Sequence, residues 1–286
     1  MELSTSKTTT TIDKSVEILM HASLAQRNTH DRLASSDLTL AWHRALMGLK
    51  SESRGTRLGY LWWLIEPAMH LIVYYLAFGV LLSHGGDNYV AYLLVGIVHW
   101  LWLSKSIMNA SSSIQVGRGL ILQLPLHVSV FPLAEILRDA LKQLVVFLVL
   151  LGVLWSLGNS PTWLLLIYPA LFLVQLLLTT ATACFIASLM PFMPDLRVII
   201  PACLQLGMFL SGVFFTRDII PAQYQWLLNF NPAYLLLESY RDILIRSQLP
   251  NLHALTLLTA VIILLNFAVF SMLSRFNKRY ARIIQE

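Results

Sequence analysis

Residues 143–194 read QLVVFLVLLGVLWSLGNSPTWLLLIYPALFLVQLLLTTATACFIASLMPFMP, a run without a single Lys, Arg, Asp or Glu. An α-helix needs about 20 apolar residues to cross a hydrocarbon layer of ~30 Å. The run therefore holds two spans, and Gly158-Asn-Ser-Pro161 in its middle is a compact turn between antiparallel helices. A second uncharged run covers 254–274. The whole chain of 286 residues is 57% hydrophobic and 12% charged. Soluble domains carry about 25% charged residues, so this chain cannot supply a soluble surface.

Working outward, the pattern predicts an all-α integral membrane protein with six transmembrane helices. The expected spans are 58–83, 89–109, 136–157, 163–190, 198–215 and 252–273, within a six-helix transmembrane domain over 58–286. Residues 1–36 are polar, rich in Ser and Thr, and read as a cytoplasmic tail with one short helix near 16–27; they show no cleavable signal peptide. Asp37 is a plausible helix N-cap. Beyond it Leu38, Trp42, Ala45, Leu46 and Leu49 recur at helical spacing among His43, Arg44, Lys50, Arg54 and Arg57. Residues 37–57 are thus expected to form an N-terminal amphipathic helix in the membrane interface, with a helix packed on protein as the competing reading.

Charge sets the orientation. Lys and Arg are concentrated before the first span and after the last, at Arg275, Lys278, Arg279 and Arg282. Arg118 and Arg197 follow the second and fourth spans, whereas the turns at 84–88 and 158–162 contain neither residue. The positive-inside rule then places both termini in the cytoplasm. It also accounts for the net charge of +5 without nucleic acid. Cys184 and Cys203 lie in apolar segments and read as buried hydrophobes, not as a disulfide or metal pair. Between the fifth and sixth spans, residues 216–250 hold three apolar runs too short to cross a bilayer, separated by Asn229 and Asn231. A short re-entrant helical pair fits them.

No nucleophile, metal or phosphate-loop motif is present, so no catalytic residue or cofactor is expected in this chain. Polar stripes run along the spans instead. Trp63, Glu66, His70 and Tyr74 share one helical face, with Glu66 and His70 one turn apart and able to hydrogen-bond. Tyr92, Gly96, His99, Trp102, Ser106 and Asn109 share another, and Gln205, Met208, Gly212 and Phe215 a third. Such groups either glue helices together or line a pathway. Lys105 is expected to snorkel to the inner surface. Aromatic rings beside amides and carboxylates suit a sugar ligand, although Trp and Tyr also belt membrane proteins generally.

Several of these residues carry a resemblance. Arg57-Leu-Gly-Tyr-Leu-Trp-Trp-Leu-Ile-Glu-Pro67, then Ile219-Ile-Pro221, Asn231-Pro232 and Glu238-Ser-Tyr-Arg241-Asp242, resemble the motifs of permease subunits of bacterial polysaccharide ABC exporters, which move O-antigen, capsule and teichoic-acid chains. Gln123-Leu-Pro125-Leu and Arg138 are similar to the same family's cytoplasmic linker. The resemblance implies an inner-membrane homodimer that carries two separate ATPase subunits, with ATP and Mg bound by those partners. It implies a lipid-linked polysaccharide as substrate, and the polar stripes then point to a path past Trp63, Glu66, His70, Tyr74, Tyr92, His99, Trp102, Gln205 and Phe215. It further implies a coupling helix in the linker 110–133, involving Gln115, Arg118, Gln123 and Pro125, and a re-entrant signature at Pro221, Asn231, Pro232, Arg241 and Asp242. The chain departs from many members in its longer tail and its sparsely charged linker. An exporter of a small amphiphile with the same architecture is the alternative, and a membrane scaffold or an enzyme built on Glu66 and His70 is a third reading.

Overall fold

The computed structural model describes residues 37–52, 57–81, 88–123 and 126–283. The tail 1–36, with its expected short helix, lies outside the described residues. The described chain is helical throughout, with no strand. Helix α1 covers 37–52. It is followed by α2 (Trp62–Tyr74), entered through a 3-10 turn at Gly59–Leu61 and prolonged by wider π turns at Tyr75–Leu81, then by α3 (Tyr89–Val116) and α4 (Arg118–Gln123). Next come α5 (Val130–Ser156), α6 (Tyr168–Leu189, entered through Trp163–Ile167) and α7 (Leu196–Leu210). Two short helices, α8 (Gln225–Asn229) and α9 (Pro232–Arg241), precede α10 (Leu252–Ile283).

Among the described residues four helical segments are long and apolar enough to cross a membrane: Gly59–Leu81, Tyr89–Val116, Trp163–Leu189 and Leu252–Arg275. The other two expected spans are helical but fall short by physical measure. Helix α7 has 15 residues, about 22 Å at 1.5 Å per residue. Helix α5 carries Glu135, Arg138, Asp139 and Lys142 in its first half, which leaves only residues 143–156 uncharged, about 21 Å by the same measure.

Helix α3 is the hub. In its apolar window 83% of residues are buried, against none for the α2 segment and 17% for α10. Small and branched side chains allow this, with Ala91, Leu93, Val95 and Ile97 all almost fully enclosed by α2, α5, α6, α7 and α9. Helix α10 lies against α6, where the Asn266 amide donates to the Leu177 carbonyl at 3.0 Å. Such a bond satisfies a polar group that lipid could not.

Side-chain bridges establish which helix ends lie together. Asn88 before α3 and Asn159 after α5 exchange amide hydrogen bonds at 3.3 and 3.4 Å. At the opposite end Gln115 of α3 donates to the Met190 carbonyl at 3.3 Å and accepts from Arg197. The Val128 N–H before α5 donates to Asn277 of α10 at 3.0 Å. The helices thus alternate in direction, and Arg197 lies at the Gln115 end with α4.

Two expected elements gain structural detail. The linker expected to start at Ala110 starts later, because α3 continues to Val116. Ser111 and Ser113 donate back to the carbonyls of Met108 and Ala110 at 2.7 and 2.6 Å, so these hydroxyls are satisfied within the helix. Helix α1 is also seated on protein. Ala41 and Ala45 are buried, and Gly48 faces the Arg138 side chain, whose Cδ lies 3.0 Å from where a Cβ would stand. The Arg44 guanidinium lies 4.7 Å from the centre of the Phe131 ring, and Glu52 reaches Lys142 at 2.5 Å. Contacts that advance together from Asp37–His127 to Glu52–Lys142 make α1 parallel to the first half of α5. Burial raises the Asp37 carboxyl above its usual range, and His127 opposes the shift. Leu38, Trp42 and Met47 remain exposed on the other side.

Candidate functional site

A cavity of about 620 Å³ lies among α2, α3, α5 and α7, with Glu52 of α1 at its edge. Six of the nine residues expected along a path line it: Trp63, Glu66, His70, Tyr74, Trp102 and Gln205. Each reaches it for a local reason. The first four recur on one face of α2, Trp102 faces it from α3, and Gln205 from α7, one turn beyond Pro201. Tyr74 is fixed by Phe214, ring centres 4.6 Å apart, and Trp102 stacks on Phe172 of α6 at 4.5 Å.

The polar groups of the cavity form pairs. The Glu66 carboxylate pairs with Lys105 of α3, so Lys105 turns into the cavity and does not snorkel away. His70 bonds through Nδ1 to the Glu66 backbone carbonyl at 2.9 Å. The side-chain bond expected between Glu66 and His70 is therefore replaced, because Lys105 is the stronger partner for a carboxylate. Lys142 bonds Asp139 at 3.1 Å as well as Glu52, and lies 5.9 Å from the centre of the Trp63 ring. Asn109 donates to Asp139 at 2.8 Å.

Sequence reasoning missed the contribution of α5. Asp139, Lys142, Gln143 and Val146 all face the cavity at i, i+3, i+4 and i+7, the spacing of one helical face.

Three expected path residues lie outside the cavity lining: Tyr92 and His99 are buried in packing, and Phe215 is half-buried. Tyr92 donates to the Phe215 and Gly212 carbonyls at 2.5 and 3.2 Å, which ties α3 to the loop after α7 and leaves Phe215 outside the cavity lining. His99 is fully enclosed, its Nδ1 bonded to the Val95 carbonyl at 2.8 Å and its ring stacked on Tyr240 at 3.8 Å.

Helices α8 and α9 are pinned by the motif residues. Arg241 has no exposed surface. Its guanidinium donates to the carbonyls of Gly212 at 2.8 Å, Val213 at 3.1 Å and Tyr92 at 3.4 Å, and to Glu238 at 2.8 Å. It also lies 3.4 Å from the centre of the Tyr92 ring. Asp242 pairs with Arg246 at 2.8 Å. Pro221 precedes the turn Ala222–Tyr224. Asn231 caps α9 by accepting from the N–H groups of Ala233 and Tyr234 at 3.0 and 3.2 Å, with Pro232 in the first position, where no N–H is needed. Its amide also donates to the Leu210 carbonyl at 3.2 Å and to Ser211 at 3.1 Å. Asn231→Ala loses both cap and tie, and should lower stability by about 1–2 kcal/mol. Thermal unfolding of the purified chain checks this, and Asn231→Asp, which keeps the cap alone, should fall between.

Of the expected coupling residues, Gln115 bridges α3 to the loop before α7, Arg118 opens α4, and Gln123 is exposed at its end. Pro125 lies outside the described residues.

Comparison with known proteins addresses the whole arrangement. The chain is 28% identical over 238 residues to the O-antigen export system permease protein RfbA of Myxococcus xanthus, covering 82% of this chain and 92% of that one. It is 25% identical over 238 residues to the protein of the same name from Klebsiella pneumoniae, covering 82% and 91%. It is 23% identical over 229 residues to the polysialic acid transport protein KpsM of Escherichia coli, covering 75% and 85%. Residues 45–245, which span the cavity helices and the Arg241 cluster, match the model of the ABC-2 type transporters. By that match the chain belongs to the ABC-2 type transporter family.

Proposed function

We propose that this chain is the membrane subunit of an ATP-driven exporter that moves a lipid-linked polysaccharide, of O-antigen or capsule type, across the bacterial inner membrane. The observation that carries the reading is the cavity: indole and phenol rings stand beside carboxylate, ammonium and amide groups on four helices. Sugar rings offer apolar C–H faces to the rings and hydroxyls to the polar groups. The names of the relatives, O-antigen export permease and polysialic acid transport protein, support the same substrate class.

The chain works as a homodimer with two separate ATPase subunits, which bind ATP and Mg and hydrolyse the nucleotide; it is not itself an enzyme. The exposed apolar flank of α2 (Met69, Ile72, Val73, Leu76) supports burial by lipid or a second copy. Six segments cross the membrane, α5 and α7 included, with both termini in the cytoplasm. The end that carries Arg197 and α4 is then cytoplasmic, as the positive-inside rule requires. Helix α1 lies at that interface, with Leu38, Trp42 and Met47 toward lipid. Helices α8 and α9 form a re-entrant pair on the outer side. The segment from Gln115 through Arg118 to Gln123 and Pro125 takes the ATPase stroke. Because Gln115 bonds both the Met190 carbonyl and Arg197, a push there reaches α6 and α7 together.

Trp63→Ala and Tyr74→Ala each remove a ring from the cavity without touching the Arg241 cluster. Losing one stacking contact should slow export about 2- to 10-fold at unchanged membrane protein level, read as surface polysaccharide per cell. Export at the wild-type rate by both variants would take these side chains out of the path.

A further inference from the structure

The cavity stops short of the Asn88 end of the molecule. The lining residues nearest that end are Tyr74 on α2, Val98 on α3, Val146 on α5 and Met208 on α7. Beyond Tyr74 and Met208 the space is filled by aromatic rings. Phe214, 4% exposed, lies between ring centres 4.6 Å from Tyr74, 4.8 Å from Phe78 and 5.1 Å from Phe209. The Phe78 and Phe214 planes are within 17° of parallel, a stacked pair. Rings from α2, from α7 and from the turn after α7 therefore meet where the cavity closes.

The two sides of this plug are held very differently. The turn that carries Phe214 is bonded to α3 and α9. Tyr89 donates to the Phe214 carbonyl at 3.1 Å, Tyr92 to the carbonyls of Gly212 and Phe215, and Arg241 to those of Gly212 and Val213. Each carbonyl of residues 212–215 thus accepts from a side chain of α3 or α9, and displacing the turn would leave those acceptors unmet. On the other side, no residue of the α2 segment is buried within the chain. Its helical ladder is also loosened twice. Pro67 brings no N–H to it, and the stretch Tyr75–Leu81, which carries Phe78, has the wider π turns that interrupt regular α-helix. Stacked rings give way more readily than a turn bonded at every carbonyl.

We propose that Phe214 is the fixed half of an exit gate, and that the Tyr74–Phe78 stretch of α2 is its moving half. The path opens at the Asn88 end when α2 withdraws from the turn, and closes when Phe78 stacks on Phe214 again. This inference rests on the export reading and deepens it by naming where the path is shut on the outer side.

The test tethers the two halves. Phe78→Cys and Phe214→Cys are combined on Cys203→Ser, which removes the exposed native thiol, in the full-length gene returned to the deletion strain. A short bis-methanethiosulfonate joins the two thiols, a reducing agent cleaves the link, and mass spectrometry of digested protein reports the joined peptides. Newly made surface polysaccharide should be lost from linked cells and return on reduction, with each single-cysteine variant given the same reagent as the reference. Undiminished export with the link in place would overturn the gate, as would failure of the two positions to link. A second measurement needs no cysteine at 214. Phe78→Ala trims a half-buried ring on α2 and leaves the turn intact. Liposomes holding the purified wild-type chain should retain labelled maltotriose, and those holding Phe78→Ala should release it. Equal retention or equal release by the two proteins would overturn the gate. Surface polysaccharide unchanged by the deletion itself would overturn the export reading, and the liposome result would still decide the gate.

Discussion

Replacing Arg241 by methionine should destabilise the protein by about 3–5 kcal/mol, the range for breaking a buried ion pair by removing one partner. The guanidinium is fully enclosed and joins three pieces of chain: α3 through the carbonyl and ring face of Tyr92, the loop after α7 through Gly212 and Val213, and α9 through Glu238. Methionine fills part of the volume but leaves those carbonyls and the Glu238 carboxylate with fewer donors. Arg241→Lys should rescue little, since a single ammonium cannot reach carbonyls on both sides or stack on a ring. Thermal unfolding of the purified chain in detergent measures both. Wild-type stability in Arg241→Lys would mean that charge alone, and not the planar fork, holds the cluster.

Gly96→Ala should produce the second large effect, though it adds only one carbon. A Cβ there would stand 2.6 Å from an Arg241 guanidinium nitrogen and 3.3 Å from the Val213 carbonyl oxygen. The arginine has no room to retreat, because its hydrogen bonds fix it from both sides. Overpacking of this kind costs about 1–3 kcal/mol, with further loss from any bond to Arg241 that breaks. The two substitutions act on one contact, so adding Gly96→Ala to Arg241→Met should cost much less than Gly96→Ala alone. Fully additive losses in the double variant would contradict this coupling. Gly212, whose φ is +67 and whose Cβ would lie 2.7 Å from the Tyr234 ring, shapes the other side of the same cluster.

Much of this fold was legible because hydrocarbon admits few solutions. Apolar runs of the right length, broken at Gly158-Asn-Ser-Pro161 and at 191–195, read directly as helices with turns, and most described residues of each expected span are helical. Boundaries were less legible. The serines at 111–113 look like a helix end, yet all three bond back to their own helix, and α3 runs on to Val116. Helix α1 was read by the stripe Leu38, Trp42, Ala45, Leu46 and Leu49; of these Ala45 is buried, beside Ala41 and Gly48 on the face that packs, whereas Leu38 and Trp42 are exposed. Small residues permit close approach but contribute little to an apolar pattern.

The cavity divides in the same way. The α2 stripe led to it correctly, because four residues at helical spacing must share a face whatever packs against them. The α3 stripe did so in part: Trp102 and Asn109 line the cavity, while Tyr92 and His99 are spent on packing. A stripe that long on the most buried helix meets different neighbours at each turn. Which turn meets a void and which a neighbour depends on α5, α7 and α9, which no reading of α3 by itself supplies. The partners Glu66–Lys105 and Glu52–Lys142 lie on different helices and were invisible for the same reason.

The most direct test of export is the fate of long surface polysaccharide when this gene is deleted from its host, read on gels of whole-cell extract with and without surface labelling. Full-length glycan retained inside the cell and absent from the surface, with both restored by the wild-type gene, is the predicted result. Unchanged surface polysaccharide in the deletion strain would contradict polysaccharide export by this chain.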